Sequence, residues 1–307
     1  MKIIVKDEQE IRIDFFLASK LDYSRSKIQR MLSESKIIVN NDAVKSSYLI
    51  KEDDEIVIDE EELIIEIIPQ KIDFKIVYEN DQLLVIDKPN GLVVHPGAGN
   101  RDKTLVNGLV YYFKNLSFKN SFRPGLVHRL DAYTTGLMVV AKNEKIHDYL
   151  SEEIKKNKME RKYYALVWGV INNDTGLIDA SIMRDVKDRT KYKVGSKNSK
   201  SAITHFRVME RYKTATLVEV ALETGRTHQI RVHMDYIGFP IVNDPVYGKR
   251  KLFDNSGQCL HAKTLSFIEY GTEKKLFFES DLAECFKNIL FKFQMEVEDE
   301  SNENNLK

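Results

Sequence analysis

The sequence predicts an α+β protein with two domains, a small one near the N-terminus and a larger one that carries most of the chain. A length of 307 residues, 42% of them hydrophobic, is sufficient for two separate cores. In the N-terminal part of the chain, apolar residues recur at helical spacing. From residue 74 onward, strand-like and helical patterns are mixed. The predicted ranges are 11–60 for the first domain, 61–73 for a linker or edge strand, 74–295 for the second domain, and 296–307 for an acidic tail that we expect to be disordered.

The first domain is predicted to consist of two short helices that lead into a β-hairpin. The apolar residues at helical spacing are Leu17, Leu21, Ile28, Met31 and Leu32. The pattern breaks at 22–24, where Ser24 is suited to cap a second helix. The segments 36–41 and 55–58 are typical of strands, and the first of them enters a turn.

The predicted second helix is basic, since it carries Arg25, Lys27 and Arg30. Beside a hairpin, these side chains would form a compact surface for binding phosphates. The alternative, which the pattern alone slightly favours, is that they are the surface charges of an ordinary helix.

The second domain is predicted to mix strands and helices. The segments 77–87, 163–170 and 215–222 are typical of strands. Asn143 is suited to cap an amphipathic helix. The apolar residues of that helix are Ile146, Leu150 and Ile154.

Composition and charge narrow the class of protein. The formal net charge is zero, but residues 52–62 carry eight acidic and no basic side chains, and residues 181–200 carry seven basic and two acidic ones. Segregated charge is compatible with a nucleic-acid partner, although it is more often a solvated face. Cys259 and Cys285 do not have the spacing of a metal or redox pair. No stretch reaches the length of a membrane span and no signal-peptide core is present, so we expect a cytoplasmic protein with no membrane partner.

Several familiar catalytic motifs are absent from the sequence. It contains no Gly-x-x-x-x-Gly-Lys-Ser/Thr phosphate loop, no Gly-x-Gly-x-x-Gly dinucleotide turn and no Gly-x-Ser-x-Gly elbow. His228 and His233 are five residues apart and do not repeat the His-Glu-x-x-His arrangement of zinc enzymes. Metal catalysis is therefore disfavoured, and carboxylates and arginines remain as candidate catalytic groups.

Four polar islands in the second domain carry these candidate groups. They are residues 87–97, 128–142, 161–167 and 222–233. In the second island the sequence His-Arg-Leu-Asp precedes the apolar run 137–141, and a loop packed against a buried strand is well suited to hold a carboxylate in position. His95, in the first island, is more often an ordinary loop histidine than a catalyst.

The sequence RIDFFLASKLDYSRSKIQRMLSESKIIVNNDAV resembles the S4 RNA-binding domain. The resemblance rests on the Arg-Ile-Asp opening, the Ser-Arg-Ser start of the second helix and the Val-Asn pair before the turn. It implies that Arg25, Lys27 and Arg30 contact RNA. Ser35 stands where the family usually has glycine before the strand, and a non-glycine residue at positive φ carries a modest conformational cost.

The four islands, in this order, closely resemble the RluA/RluD family of pseudouridine synthases over essentially the whole chain. HRLD followed by TTGLMVVAK matches the nucleophile motif of the family and implies that Asp131 is the catalytic aspartate. LETGRTHQIRVH at 222–233 and IGFPIVNDPVYG at 237–248 match later motifs. The resemblance implies a mixed, mainly antiparallel sheet with flanking helices and a central RNA cleft.

The resemblance also implies the catalytic roles, and it implies that no cofactor is needed. Asp131 would attack the ribose C1′ or the uracil C6, or act through an elimination at the sugar, and the sequence does not choose between these routes. Arg231 would pair with the aspartate and keep it ionised. Tyr163 would stack on the uracil and take part in proton removal from C5, whereas without the resemblance it is a core aromatic of a strand.

Contacts with folded RNA follow from the same resemblance. The target base must be flipped out at a cost of roughly a few kcal/mol, and Arg129 resembles the family arginine that fills the vacated space. We expect His128, Arg226 and His228 to contact the RNA as well. At 132–135 the chain has Ala-Tyr-Thr-Thr where the family has a charged pair and Thr-Ser, but no catalytic group is lost.

An S4-like segment joined to Gly-Leu-Val-Val-His-Pro-Gly most resembles the RluD-like branch, which implies large-subunit (23S) ribosomal RNA as the substrate. Transfer RNA is the second possibility. A catalytically idle RNA-binding or ribosome-assembly factor is a third, against which the intact Asp131, Tyr163 and Arg231 argue. A hydrolase using Asp131 and His128 on a small substrate would leave the S4-like segment unexplained. A monomer is the default expectation.

Overall fold

The computed structural model describes residues 1–6, 8–21, 23, 25–59, 67–97, 100–113, 116–117, 123–188, 190–250 and 252–304, with the side chains of these residues other than 26 and 296–304. The chain divides into two compact units, Met1–Ile64 and Ile65–Lys307. The division falls within 61–73, the segment predicted to link two domains. The finer boundaries given above stay predictions.

The first unit consists of an antiparallel sheet and two helices. Its elements are β1 Lys2–Ile4, α1 Ile13–Lys20, α2 Arg25–Ser33, β2 Ile37–Val39, β3 Asp42–Ala43 and β4 Glu55–Ile58. The strands lie in the order β1-β4-β2-β3. The predicted pair of helices and the strands after them are therefore present, while Ser24, the predicted cap, lies outside the described residues. The core contains Val5, Ile13, Phe16, Leu17, Ile28, Met31, Leu32, Ile37, Val39, Ile50, Ile56 and Ile58.

Ser35 ends α2 in the left-handed region, with a φ of 55°. The N–H of Ser35 donates to the Leu32 carbonyl, and the N–H of Lys36 donates to the Met31 carbonyl. This pair of hydrogen bonds is the Schellman motif, in which glycine is the usual residue at the left-handed position. Serine is accommodated here at the modest conformational cost expected for a non-glycine residue.

The carboxylate of Asp14 in α1 is fully buried and joins the two helices. It accepts hydrogen bonds from Arg12 at 3.0 and 3.1 Å, from Arg25 at 2.9 Å and from Gln29 at 2.6 Å. Burial by itself would raise the pKa of Asp14, but the hydrogen bonds from Gln29, Arg12 and Arg25 outweigh burial and lower it. Asp14 therefore stabilises the contact between α1 and α2 in its ionised form.

Replacing Asp14 by alanine should lower the free energy of unfolding by about 2 kcal/mol, because Arg25 and Gln29 would lose their common acceptor. Since the pKa of Asp14 is lowered in the folded state, the advantage of the wild type should be present at neutral pH and lost as the pH falls through that pKa. Urea unfolding across pH measures both effects, with Asp81→Ala on an exposed turn as the control. Equal unfolding midpoints for Asp14→Ala and Asp81→Ala would contradict this role.

The second unit is built on a mixed sheet. Its elements are β5 Lys75–Glu79, β6 Leu83–Lys88, α3 Leu105–Tyr112, β7 Thr135–Ala141, α4 Glu144–Lys155, β8 Glu160–Trp168, β9 Thr175–Asp179, β10 Ile182–Arg184, β11 Tyr192–Val194, β12 Ile203–Arg211, β13 Ala215–Leu222, α5 Gln229–Tyr236, β14 Leu260–Ile268, β15 Lys275–Glu279 and α6 Glu284–Asn304. The main sheet has the order β5-β6-β7-β14-β8-β13-β12-β9, with β15 paired to β14. Within it β7 and β14 are parallel and the other pairs are antiparallel. The predicted mixed, mainly antiparallel sheet is confirmed.

Helices cover both faces of the sheet at β6 and β7. In β6, Leu84 and Ile86 belong to a core shared with α3, α5 and α6, whereas Leu83 and Val85 belong to a second core shared with α4. All seven residues of β7 are buried. A strand that is covered on both faces is a continuous apolar run, which explains the apolar sequence that follows the His-Arg-Leu-Asp motif.

Two predicted strands and one predicted helix cap match elements of the second unit, and one predicted strand does not. The predicted strand 215–222 coincides with β13, and 163–170 overlaps most of β8. The side chain of Asn143 accepts the Ile146 N–H at 3.0 Å, as expected for the cap of α4. The segment 77–87 was wrongly predicted as strand throughout. The side-chain oxygen of Asn80 accepts the N–H groups of Gln82 and Leu83, and these hydrogen bonds form a turn between β5 and β6.

The described part of the segment 61–73 fits the linker alternative and not an edge strand, whereas the tail differs from expectation. Of the linker 61–73, residues 61–66 lie outside the described residues and 67–73 form no strand. The tail was expected to be disordered from 296, but the backbone of α6 continues as helix to Asn304. Extending a helix that is already anchored by buried residues such as Phe293 needs no new nucleation, which explains the difference.

No helix among the described residues is both long and apolar enough to cross a membrane.

Candidate active site

A cavity of about 530 Å³ lies in the second unit, and all four polar islands contribute to its lining. It collects the three predicted catalytic residues, Asp131, Tyr163 and Arg231, from a loop, a strand and a helix. The predicted RNA-contacting residues His128, Arg129, Arg226 and His228 line it as well. Folding therefore brings together side chains that are far apart in the sequence, as for Asp131 and Arg231, which are 100 positions apart.

Asp131 lies in the turn that leads into β7, and its side chain is 17% exposed. The N–H of Thr134 donates to the Asp131 carbonyl at 3.1 Å and closes the turn. Gly136, one residue into the strand, has a φ of 104°, and a Cβ there would lie 2.3 Å from the Ala262 carbonyl oxygen of β14. Glycine thus allows the close approach of β7 and β14 that fixes the base of the Asp131 turn.

Arg231 of α5 is held between two carboxylates. Its Nη1 donates to Oδ2 of Asp131 at 3.0 Å. Its Nε and Nη2 donate to the two oxygens of Asp244 at 2.7 and 2.9 Å, which is a bidentate pair. Asp244 is fully buried and also accepts the N–H groups of Val246 and Tyr247. Asp244 therefore fixes the guanidinium, and the guanidinium in turn fixes Asp131.

The two carboxylates stabilise the charged form of Arg231. Burial by itself would lower the pKa of Arg231, but the hydrogen bonds and charges of Asp244 and Asp131 outweigh burial and raise it. The Arg231 side chain is only 5% exposed. A permanent positive charge in a water-poor site stabilises the ionised form of the carboxylate next to it.

His228 adopts an unusual backbone conformation beside Asp131. It precedes α5 with a φ of 58° and a ψ of 17°, in the left-handed region. Its Nε2 lies 3.9 Å from Oδ1 of Asp131, and its Nδ1 lies 3.0 Å from the hydroxyl of Tyr247. Burial lowers the pKa of His228, whereas the charge of Asp131 acts in the opposite direction. His228 is therefore a neutral neighbour of Asp131 and not a second cation.

Tyr163 of β8 is buried, with 5% exposure, and its side chain lines the cavity. Its backbone pairs with Val220 of β13 on one side and Ala262 of β14 on the other, so the ring is held by a central strand. Burial raises the pKa of Tyr163; Arg161 lowers it and Asp131 raises it to lesser extents. The resting side chain is consequently a neutral phenol.

The other basic residues of the cavity are placed differently from one another. Arg129 is exposed. Arg226 donates from Nε to the Ser201 carbonyl at 2.9 Å. His128 accepts the Val139 N–H of β7 at 3.0 Å, and burial lowers the pKa of His128 to about 3. A neutral imidazole bonded to a strand offers little attraction to a phosphate, so its placement favours support of the loop.

Lys88 is a buried lysine whose role the sequence interpretation did not single out. It is fully buried at the end of β6 and donates to the carbonyls of Pro89 and Leu92 at 2.9 Å each and of Ala132 at 2.7 Å. Burial lowers the pKa of Lys88 to about 7, and the charge of Asp131 opposes that shift. Because Ala132 directly follows Asp131, Lys88 ties the turn to the first island.

Asp244 and Tyr247 were also missed as individual site residues. Both lie in the motif at 237–248 that carried the family resemblance, yet neither had a role assigned to it. The available signal was an aspartate followed by proline and a tyrosine in a segment without strand periodicity. Their partners, Arg231 and His228, lie on another segment, and only the folded structure identifies those contacts.

The basic residues of the first unit have structural contacts of their own. The guanidinium of Arg25 lies 3.7 Å from the centre of the Phe15 ring and bonds to Asp14. The ammonium of Lys27 lies 3.6 Å from the centre of the Tyr23 ring. Arg30 follows on the same helix. Their predicted contacts with RNA stay predictions.

Within the part of the chain that the structure describes, no group of three or more His, Cys, Asp or Glu side chains is arranged to hold a metal ion.

Comparison with known proteins gives two family matches. Residues 82–236 match the family model of RNA pseudouridylate synthase, and residues 11–56 match that of the S4 domain. An uncharacterized RNA pseudouridine synthase of Bacillus subtilis is 44% identical over 291 residues, which cover 92% of this chain and 96% of the relative. The ribosomal large subunit pseudouridine synthase D of Pseudomonas aeruginosa is 40% identical over 283 residues, which cover 88% of this chain and 87% of the relative.

Solved structures show the same fold for the larger unit. Human RNA pseudouridylate synthase domain containing 4 superposes with a TM-score of 0.57 at 24% identity, covering 72% of this chain and 93% of that one. Human RNA pseudouridylate synthase domain containing 1 gives a TM-score of 0.56 at 23% identity, covering 72% and 95%. From its sequence, its two family matches and its fold, this chain belongs to the RNA pseudouridylate synthase family and is an isomerase that converts uridine in RNA to pseudouridine, with an S4 domain at its N-terminus.

Proposed function

We propose that this enzyme modifies uridines of large-subunit (23S) ribosomal RNA and uses Asp131 as its nucleophile. The observation that carries the nucleophile assignment is the 3.0 Å contact between Arg231 and Asp131 at the wall of the cavity. Support for ribosomal RNA comes from the Pseudomonas aeruginosa relative, whose name specifies the large ribosomal subunit. Transfer RNA is the alternative substrate.

The arrangement suits the isomerisation chemically. Uracil must be detached at N1, rotated and rejoined through C5, with no net oxidation or reduction. An ionised carboxylate at the sugar or the base divides this change into easier steps. Arg231 orients the attacking carboxylate, and Asp244 keeps Arg231 in place. Attack at C1′, attack at C6 and elimination at the sugar are all compatible with this placement.

Tyr163 would form one wall of the pocket for the flipped uracil. Stacking of a base on an aromatic ring contributes on the order of 1–3 kcal/mol, which offsets much of the cost of flipping. Because the pKa of Tyr163 is raised by burial, the resting phenol has no capacity to accept a proton from C5. Stacking is the role that this state supports, and proton removal would require the tyrosine to lose its proton during the reaction.

Tyr163→Phe and Tyr163→Leu separate the two roles. If stacking dominates, Tyr163→Phe should keep most of the RNA affinity of the wild type, and Tyr163→Leu should weaken binding by about tenfold or more. Fluorescence-monitored binding and single-turnover rates measure the two contributions. Equal affinities for the phenylalanine and leucine variants would contradict stacking. A rate loss in Tyr163→Phe with intact affinity would support a role of the hydroxyl in proton removal.

The remaining basic residues would support base flipping and RNA binding. Arg129 lies two residues before the proposed nucleophile and is exposed at the cavity. It would enter the space that the flipped nucleotide vacates. Arg226 and His228 would contact the RNA at the cavity, with His128 supporting the loop. The segment 11–60 would supply phosphate contacts through Arg25, Lys27 and Arg30, which position RNA without reading its sequence.

Mapping of pseudouridine by carbodiimide modification and primer extension tests the substrate class. The full-length enzyme would be incubated separately with 23S rRNA, assembled large subunits and a tRNA pool. New stops in 23S rRNA or in the large subunit, with none in tRNA, are the expected result. Stops in tRNA alone would overturn the ribosomal assignment. Tight RNA binding without modification of any of these substrates would favour an idle RNA-binding factor.

A further inference from the structure

His228, Tyr247 and the backbone of Tyr192 form a hydrogen-bonded chain that ends beside the proposed nucleophile. The Tyr192 N–H donates to the Tyr247 hydroxyl oxygen at 2.9 Å. That hydroxyl lies 3.0 Å from Nδ1 of His228, whose Nε2 lies 3.9 Å from Oδ1 of Asp131. The chain therefore runs from β11, in the basic segment 181–200, to the carboxylate.

The contacts of Tyr247 decide which ring nitrogen of His228 carries the proton. A phenolic oxygen has one proton to donate and accepts through its lone pairs. Since the Tyr192 N–H already donates to this oxygen, the hydroxyl proton is directed to Nδ1 of His228. The proton of the neutral imidazole then lies on Nε2 and faces Asp131. The opposite tautomer would leave the hydroxyl proton without this acceptor and would turn a lone pair toward the carboxylate.

Both side chains have the protonation state that this arrangement needs. Burial raises the pKa of Tyr247 to about 12, so the hydroxyl keeps its proton. Burial lowers the pKa of His228; Asp131 and Asp244 raise it, whereas Arg231 and Arg129 lower it further. The net lowering leaves the imidazole neutral.

The backbone at His228 shows that its side chain does not serve the helix. His228 is the N-cap residue of α5, a position where side chains usually accept a hydrogen bond from the first turn, yet its side chain makes no such bond. A non-glycine residue in the left-handed region is also strained, and such strain tends to persist at functional sites. The conformation instead directs the imidazole between Tyr247 and Asp131.

The two carboxylate oxygens of Asp131 have different hydrogen-bonding environments. Arg231 donates to Oδ2, and among the described residues no hydrogen-bond donor engages Oδ1. Nε2 of His228 lies 3.9 Å from Oδ1, which is longer than a hydrogen bond. Hydrogen bonds of this kind are often long in a free enzyme and shorten once the substrate is bound.

We propose that His228 is a positioning residue for Asp131, with its proton held on Nε2 by the Tyr247 hydroxyl so that it orients Oδ1 when RNA fills the cavity. This inference rests on the proposed role of Asp131 as nucleophile. It gives His228 a more specific task than RNA contact, and it gives Tyr247 a task that acts through His228.

The first test is the variant Tyr247→Phe in the full chain, with Tyr212→Phe as a matched control. Both tyrosines are buried, with 6% and 4% exposure, and both hydroxyls are hydrogen-bonded. The partner of Tyr247 is His228, which lines the cavity, whereas the partner of Tyr212 is Glu210, which does not. We expect Tyr247→Phe to lower the single-turnover rate on saturating RNA by about tenfold with unchanged RNA affinity. Tyr212→Phe should leave both unchanged. Equal rates for the two variants would overturn the proposal.

A double-mutant cycle separates positioning from a merely structural effect. If the Tyr247 hydroxyl acts through His228, Tyr247→Phe should cause no further loss of single-turnover rate in a His228→Leu background. Independent, multiplying losses would contradict the coupling. Thermal unfolding of all variants shows whether either change acts only by destabilising the fold.

The tautomer of His228 can be observed without any reaction. Two-bond ¹H–¹⁵N correlation spectra of the histidine-labelled full chain distinguish the tautomers, and the His228 signals are those that disappear in His228→Leu. We expect the Nε2–H form in the wild type and a shift toward a mixture in Tyr247→Phe. An Nδ1–H form in the wild type would overturn the inference. Absence of turnover by the wild type on every RNA would instead count against the proposed function.

Discussion

A chain carrying Asp131→Asn should bind 23S rRNA as tightly as the wild type and should form no pseudouridine. Asparagine has nearly the same shape as aspartate but cannot attack a sugar or a base as an anion. Loss of a nucleophile usually lowers the rate by about 10⁴-fold or more. Because Asp131 makes only one hydrogen bond to Arg231, and Arg231 keeps its bidentate pair with Asp244, the fold should be preserved.

Filter binding and unfolding curves are the controls for Asp131→Asn. Unchanged RNA affinity and an unchanged unfolding midpoint would show that the loss of activity is chemical. Parallel loss of binding and turnover would assign a structural role to Asp131. Pseudouridine formation close to the wild-type rate would exclude it as the nucleophile.

Arg231→Lys should lower the single-turnover rate by about 10²–10³-fold, the range expected when a preorganised donor to a reacting charge is removed. The guanidinium donates to Asp131 and, through two nitrogens, to Asp244. A lysine ammonium is a single point charge on a flexible stem and cannot reproduce three directed bonds to two carboxylates. Single-turnover kinetics with saturating RNA isolate this effect from binding.

Arg211→Lys is the matched control for Arg231→Lys. Arg211 at the end of β12 likewise donates to more than one acceptor, namely Asp174 at 2.6 Å and the Ile171 carbonyl at 2.7 Å, but its side chain is 35% exposed and does not line the cavity. A change of arginine to lysine there should leave the rate near that of the wild type. Similar losses in the two variants would show that the effect does not arise from the position of Arg231 beside Asp131.

Local structure was predictable from the sequence wherever one short-range signal dominated. Strand β13 coincided with the predicted 215–222, and the cap of α4 was predicted from Asn143 alone. The hairpin at 77–87 was misjudged because apolar residues on both sides of a short polar turn resemble one longer strand. The helical backbone of 296–304 was missed because acidic composition was given more weight than continuity with a packed helix.

The candidate site was predictable only as far as its motifs extend. Asp131 and Arg231 were paired by resemblance, and they lie 3.0 Å apart. Lys88 was not foreseen, because its partner at Ala132 is 44 residues away and a buried lysine is recognisable only from its surroundings. The pairing of His228 with Tyr247 depends in the same way on a contact between segments.

The role of Asp131 as nucleophile is tested most directly by tritium release from 23S rRNA labelled with [5-³H]uridine, measured side by side for the wild type and Asp131→Asn. Pseudouridine formation replaces the C5–H bond and releases tritium to water, so the assay reports the reaction itself. We expect release by the wild type and none by Asp131→Asn, with both proteins binding the RNA equally. Equal release by both proteins would contradict the assignment of Asp131. Tight binding by the wild type without release, either from free 23S rRNA or from assembled large subunits carrying the label, would contradict 23S rRNA as the substrate.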